Sequence, residues 1–441
     1  MLVSIHIHKW MLATLLVAGL LQTAGAQVMS LQACLDSAQA YNRNVRIGEN
    51  AVRISEQRYQ EARGLVKPKA NLNADYRYYT NLPYQLMPMS VFGGPEGQFK
   101  EAQFGVPHNI NANVQVSVPL YNAQANGAIR TAKIALEVSR LQKAKTVEQI
   151  YFEVSNTYYN AQILQHQLNF IHSNLENANK LLVTMRMLKD QLLARGSDVS
   201  KVALQVQQLT TKSLIVKSQY EGALDALKFL MGIPMERHIE VEATIGYHDD
   251  EEYADQSTTD IRLAVAQLRL ISSEVAATKG AKIPAVSLFG AFGATGFGYD
   301  VSPNGFLKFY PLGFAGIQFT FPLFNGTVTD RKIRQKNLEL SNAELQLELL
   351  TDKNKLEIEN ARRQKLVSQS TLQTTRSEVD LARSIYEQTV LQQKQGTATL
   401  TDVLVADNSL AQAQQNYLDS VVAFLKATLE LKRLTGNILN K

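Results

Sequence analysis

Cysteine is nearly absent from this sequence of 441 residues: Cys34 stands alone, so no disulfide can form within one chain. Proline is missing from two long stretches. All 11 prolines fall between Pro68 and Pro119, at Pro234, or between Pro284 and Pro322, which leaves 120–233 and 323–441 with none. A proline costs ~3 kcal/mol inside a helix, so its absence permits very long helices there. Long apolar runs are lacking as well. Past residue 26 nothing approaches the ~18–20 consecutive apolar residues of a membrane-crossing helix. Any integral membrane segment must therefore be made of β-strands. Charge of one sign is not in excess either. The net charge is +5 and basic residues alternate with acidic ones, which excludes a nucleic-acid stripe and a polybasic membrane patch. His108, His166, His172, His238 and His248 show no metal-ligand spacing. Gly290, Gly293, Gly296 and Gly298 lack the spacing and the following helix of a nucleotide loop. No nucleophile–base set stands out. The expectation is a protein that is not an enzyme and uses no cofactor, metal or nucleic acid.

The N-terminus reads as a secretory leader. Lys9 supplies the positive region, Met11 to Leu21 an apolar run, and Thr23-Ala24-Gly25-Ala26 a small-residue cleavage site before Gln27. The run is too short to span a bilayer. Leu31-Gln32-Ala33-Cys34 faintly resembles a lipidation box, but it lies well beyond the apolar run. Cys34 is expected instead on the apolar face of a helix, where an unpaired cysteine behaves as a small hydrophobe.

The order of motifs points to an internal duplication. Val118-Pro119-Leu120-Tyr121-Asn122 matches Phe321-Pro322-Leu323-Phe324-Asn325 at an offset of 203 (321 less 118). Gly196 and Gly396 are 200 apart, and Val66-Lys67-Pro68 parallels Lys282-Ile283-Pro284. In the proline-free stretches, apolar residues recur at steps of three and four, as in Leu164, Leu168, Ile171, Leu175 and Ala178, or Leu410, Ala413, Tyr417, Val421 and Phe424. This predicts helices near 123–194 and 198–231, then 327–394 and 399–435. At 1.5 Å per residue the longer of each pair reaches roughly 100 Å.

Between the prolines the period falls to two. Val114, Val116 and Val118 alternate with Asn113, Gln115 and Ser117. Ala315, Ile317, Phe319 and Phe321 alternate with Gly316, Gln318 and Thr320, and Leu72, Ala74, Tyr76 and Tyr78 with Asn73, Asp75, Arg77 and Tyr79. A fourth strand, Val286 to Phe292, is glycine-rich. Segments that are apolar outside and polar inside are the mark of a membrane barrel, and Tyr76, Tyr78, Phe297, Tyr299, Phe309 and Tyr310 suit its aromatic girdles. A soluble sheet alternates in the same way. Four strands cannot hide their edges, however, so a barrel requires several chains.

Several stretches together resemble the TolC-like outer membrane efflux proteins. They are Tyr386 … Gly396-Thr397-Ala398-Thr399-Leu400-Thr401-Asp402-Val403-Leu404 … Leu410 … Tyr417 … Leu434-Thr435-Gly436, the N-terminal Ser30-Leu31-Gln32-Ala33-Cys34-Leu35 … Asn42-Arg43-Asn44, and the paired strand-to-helix junctions. The resemblance covers essentially the whole mature chain. It implies an α+β membrane protein: a homotrimer with a 12-stranded β-barrel, four strands per chain, continued by an α-helical coiled-coil tunnel through the periplasm. It implies two structural repeats, 27–235 and 260–441, each of a helix, two strands and two long helices, joined by an equatorial segment at 236–259. It further implies a passive exit duct of a tripartite efflux or type I secretion system. The duct would lie in outer-membrane lipid of a Gram-negative cell and work with a periplasmic adaptor and an inner-membrane transporter. The strand connections 82–110 and 300–312 would face outside, and the acid run Asp249-Asp250-Glu251-Glu252 would sit in the equatorial segment.

The same resemblance assigns Asp402 and Tyr386 to a gate that rings the closed tunnel mouth, where three symmetry-related carboxylates would raise one another's pKa. The local alternative for Asp402 is a capping box with Thr399. Val405 stands where a second acid can occur, and the first repeat offers Val202 as the counterpart of Asp402. Gly196, Ser197, Asp198, Gly396 and Thr397 are the expected adaptor contacts at the helical tips, although any helical hairpin needs such turn residues. A coiled-coil scaffold without channel activity is the rival from another class. The valine and phenylalanine faces at 114–118 and 315–321 separate the two, since only a duct turns them to lipid.

Overall fold

The computed structural model describes residues 27–246, 253, 256–298 and 308–439. The leader at 1–26, the acid run 249–252, Tyr299 and most of the loop before residue 308 lie outside them. The order is β1 (Gln27–Met29), α1 (Leu31–Tyr41), α2 (Arg43–Gly64) and β2 (Lys69–Tyr78). A small hairpin of β3 (Tyr84–Pro88) and β4 (Phe99–Gln103) follows, then β5 (His108–Tyr121), α3 (Ala123–Asp190) and α4 (Gly196–Met231). The rest is β6 (Ile239–Val241), α5 (Thr259–Gly280), β7 (Ala285–Gly298), β8 (Lys308–Thr320), α6 (Val328–Lys394) and α7 (Leu400–Leu434). The long helices stand where proline is absent, with 68 residues in α3 and 67 in α6.

Three details differ from the sequence reading. The 82–110 connection carries the β3–β4 hairpin, and β8 takes in residues 308–312, which the reading had placed in a loop. The segment 236–259 contains β6, which pairs in parallel with β1. At three residues each, β1 and β6 are too short to display a period.

The chain divides into two compact units. The first gathers residues up to Ala51, Arg140–Leu263 and Leu347 onward, and is helical apart from β1 and β6. Cys34, Ala38, Val154, Leu227 and Met231 are fully buried in one of its clusters. Burial pushes the Cys34 thiol up to about 12, so this cysteine is an inert core residue. Tyr158 joins that core to the strand pair: its hydroxyl donates to the Met29 carbonyl at 3.1 Å and accepts from the Glu242 amide at 3.3 Å. Asn42 stitches α1 to α4 by donating to the Leu230 carbonyl at 2.6 Å while its Oδ1 caps α2 at Asn44. Gly232 is required here. It holds φ +70, and a Cβ on it would meet the Tyr41 carbonyl oxygen at 2.4 Å. Further along, Ile163, Leu372, Leu418, Val421 and Phe424 form a second cluster, and Leu182, Met185 and Val202 a third that packs on Leu400 and Leu404. Full burial of one such side chain is worth roughly 1.5–3 kcal/mol.

The second unit, Val52–Ser139 with Ala264–Gln346, holds an antiparallel sheet in the order β2-β5-β7-β8. Its register pairs Asn71 with Gln115, Asn73 with Asn113 and Asp75 with Asn111, so the amides of β2 and β5 share one face. Leu72, Tyr76, Val114 and Val116 share the other. The β5–β7 register shifts between Pro119 and Tyr121, where a proline without an amide hydrogen interrupts the ladder. Tyr76, Tyr78 and Phe309 lie on the Val114 face, as a girdle requires. Phe297 and Tyr310 do not: they pair with Asn109 and Thr295 and lie on the amide face. The period-two pattern of a glycine-rich strand leaves its facing undetermined, and register with β5 settles it. The outer strands β2 and β8 each have a single partner in the sheet.

Candidate functional site

The two helical hairpins turn by one motif. In the second, the Thr397 amide donates to the Gln392 carbonyl at 2.9 Å and the Gly396 amide to Gln393 at 3.1 Å, with Gly396 left-handed at φ +76. In the first, the Leu193 amide donates to Leu188 and the Leu192 amide to Lys189, both at 2.8 Å, with Leu192 left-handed at φ +65. This is the helix-ending motif that glycine usually completes. Leu192 is therefore the counterpart of Gly396, an offset of 204 (396 less 192), and Gly196 is not. Gly196 opens α4 as its first residue, with Ser197 and Asp198 in the same turn. The caps agree with this register. Arg195 stands at the N-cap position of α4, without a side-chain cap, and Thr399 at that of α7, so Asp198 and Asp402 occupy the same third helical position. The expected pairing of Asp402 with Val202 is thus four residues out, because it was measured from a glycine that does not make the turn. Val202 is fully buried.

Asp402 forms the capping box. The Thr399 amide donates to its carboxylate at 2.8 Å, the Thr399 hydroxyl donates at 2.7 Å, and the Asp402 amide donates back to the hydroxyl at 3.3 Å. These donors hold the Asp402 carboxyl below the usual carboxylate range. Its exposed face continues through Val405, Ser409, Gln412 and Asn416. Tyr386, half-buried in α6, has its hydroxyl pushed up first by burial and then by the charge of Asp407. Its electrostatic neighbour is therefore Asp407 rather than Asp402.

Asp407 is the residue that sequence reasoning missed. It is 8% exposed, accepts a hydrogen bond from Gln205 Nε2, and burial raises its pKa to about 6. A lone carboxylate at an otherwise apolar helical step was the available signal. The contact crosses from the first hairpin to the second, and two more amide links do the same. Asn174 Nδ2 donates to Gln414 Oε1 at 3.0 Å, and Gln167 Nε2 to Gln415 Oε1 at 2.8 Å. Polar pairs inside a coiled coil fix register at some cost in stability. Leu192 and Leu193 were also missed. They are 93% and 73% exposed at the first tip, an apolar pair offered to solvent where a helix ends.

Residues 252–437 match the model of the family described as outer membrane efflux protein. No curated protein matches the sequence. Among solved structures, the outer membrane protein VceC of Vibrio cholerae aligns with a TM-score of 0.74 at 16% identity, covering 92% of this chain and 96% of that one. The CmeC outer membrane channel of Campylobacter jejuni aligns at 0.75 with 14% identity, over 92% and 85% of the two chains. The open state of the MtrE outer membrane channel of Neisseria gonorrhoeae aligns at 0.72 with 16% identity, over 92% and 89%. At these identities the likeness is one of fold, and it runs through both sheet and hairpins. The fold is the one shared with those outer membrane channels. The family model thus covers the second part of the chain, and the likeness of fold to the channel structures extends over 92% of it.

Proposed function

We propose that three copies of this chain close a 12-stranded barrel and form the passive exit duct of an export system, fed by a periplasmic adaptor and an inner-membrane transporter. The observation that carries this reading is the sheet. Among the described residues both of its edges are open, one face is amide-rich around β5, and the other is apolar from Leu72 to Phe319. An open edge in lipid leaves backbone groups unsatisfied, and pairing β8 of one copy with β2 of the next removes it. Further support comes from α6. Leu349, Leu356, Val367, Leu381 and Ile385 are exposed and fall within about 40° of one line along the helix at 100° per residue. Such a stripe needs a partner helix.

In this duct the hairpin turns face the adaptor, through Gly196, Ser197, Asp198, Gly396 and Thr397 together with the apolar pair Leu192 and Leu193. Asp402 and Tyr386 contribute to the gate, and Asp407 holds the second hairpin against Gln205 of the first. Light scattering on the detergent-purified protein should give three times the chain mass, and planar bilayers should show discrete conductance steps. A monomer that inserts no conductance would end this reading.

A further inference from the structure

The interior of a membrane barrel is ordinarily polar, and half of this one is not. On β5, Asn109, Asn111, Asn113, Gln115 and Ser117 occupy one face. Five polar side chains in succession cannot face hydrocarbon, where each unpaired amide costs several kcal/mol, so this face is the inner wall. Residues directly opposite one another in an antiparallel ladder share a face. Phe297 pairs with Asn109 and Phe289 with Ser117. Tyr310 pairs with Thr295, whose hydroxyl donates to Asn111 Oδ1 at 2.9 Å, and Phe314 pairs with Ala291, which faces Gln115. All four rings therefore point inward.

These rings are not needed to hold the sheet in lipid. Phe292, Ile317 and Phe319 already serve the outer face at 73%, 69% and 65% exposure. Nor are the rings scattered. Phe289 and Phe314 meet edge to face with centroids 6.1 Å apart, and Phe297 and Tyr310 stand 5.8 Å apart. The Phe289 ring lies over Gly316, where a Cβ would come within 2.9 Å of it. The glycine lets the ring rest along the wall. The charge of the described inner face is Lys69, Arg77 and Lys308 against Asp75, with Arg77 Nε held by Asp75 at 2.9 Å. This balance does not attract cations.

We propose that the inner wall is divided, with hydrogen-bonding amides from β2 and β5 and an aromatic strip from β7 and β8, and that the strip is a transit site for small neutral or anionic aromatic molecules. The proposal rests on the duct reading and deepens it by naming the solute class. Such a molecule stacks on the rings while its polar group is solvated by the amides alongside.

The test uses the full-length trimer in planar bilayers, with 2-naphthoate or cyclohexanecarboxylate added on the barrel side. Naphthoate should reduce the single-channel current in a concentration-dependent way, and cyclohexanecarboxylate should not. In the double variant Phe289→Leu, Phe314→Leu, which keeps apolar bulk and loses the rings, half-block by naphthoate should need about fivefold more compound, each current being normalised to that variant's own unblocked conductance. If that variant does not assemble, Phe297→Leu with Tyr310→Leu repeats the comparison. Equal block by both anions, or naphthoate block unchanged in the ring variants, overturns the proposal. Failure of the trimer to conduct before either anion is added overturns the duct reading instead.

Discussion

A carboxylate buried without a cation keeps its proton to a higher pH, and Asp407 does so. Burial lifts its folded-state pKa from 3.8 to about 6, with the Gln205 amide only partly offsetting it. A raised acid pKa means that the fold disfavours the ionised form. Stability therefore falls as pH rises from roughly 4 through 6 and stays lower above that. Asp407→Asn retains an acceptor for Gln205 and carries no charge to bury. Thermal unfolding at pH 8 should show the variant more stable by about 2 kcal/mol, and the gap should close at pH 4. A gap of the same size at both pH values would assign the effect to packing. At the same scale, Leu192 holds a left-handed φ that costs a non-glycine residue roughly 1–2 kcal/mol. An exposed leucine kept in such a conformation fits a contact surface better than a simple turn. In the sequence it reads only as one more leucine at a helix end.

At the scale of the element, the long helices were legible because proline absence and the three–four spacing both act through backbone sterics and face periodicity, which are local. Three of their four starts fall within one residue of the expectation. The exception is instructive: α3 stops at Asp190 and α4 begins at Gly196, since Leu192 rather than a glycine makes the turn. The capping box at Thr399 and Asp402 was equally legible, because a box needs only the right types three residues apart. Thr399→Ala should weaken the start of α7 by ~1 kcal/mol, seen as faster amide exchange at Asp402 and Val403, with the rest of the helix unchanged. The lowered Asp402 pKa means that the wild-type cap is fully present above the ordinary carboxylate range and is lost as pH falls through the folded value. The difference between wild type and variant should therefore shrink in acid, and a difference constant with pH would remove the carboxylate from the account. The strands were harder to read. The facing of β2 and β5 follows from their own alternation, but β7 around its glycines and the first part of β8 carry apolar residues on both sides, so Phe297 and Tyr310, which suit a girdle by their place near the strand ends, lie on the amide face.

At the scale of the whole molecule, the two sheet edges and the leucine stripe exposed along α6 are the surfaces that the proposed trimer would cover. Leu356→Glu with Leu381→Glu places charge on a stripe that is 61% and 64% exposed at those positions, so the helices of a single chain should form unchanged. The trimer should be lost, measured as mass by light scattering and helicity by circular dichroism. A trimer of normal stability would show that α6 meets no partner there. By itself the sequence determined the long helices, the cores of the four main-sheet strands, that any integral membrane segment would be built of strands, and the resemblance to efflux channels, because each rests on periodicity, composition or residue order. Only the tertiary structure decided the true register of the two tips, the burial of Asp407 against Gln205 and the placing of the β7–β8 rings on the amide face. Each of these depends on which residue stands opposite another across a gap in the chain, and no local pattern encodes that.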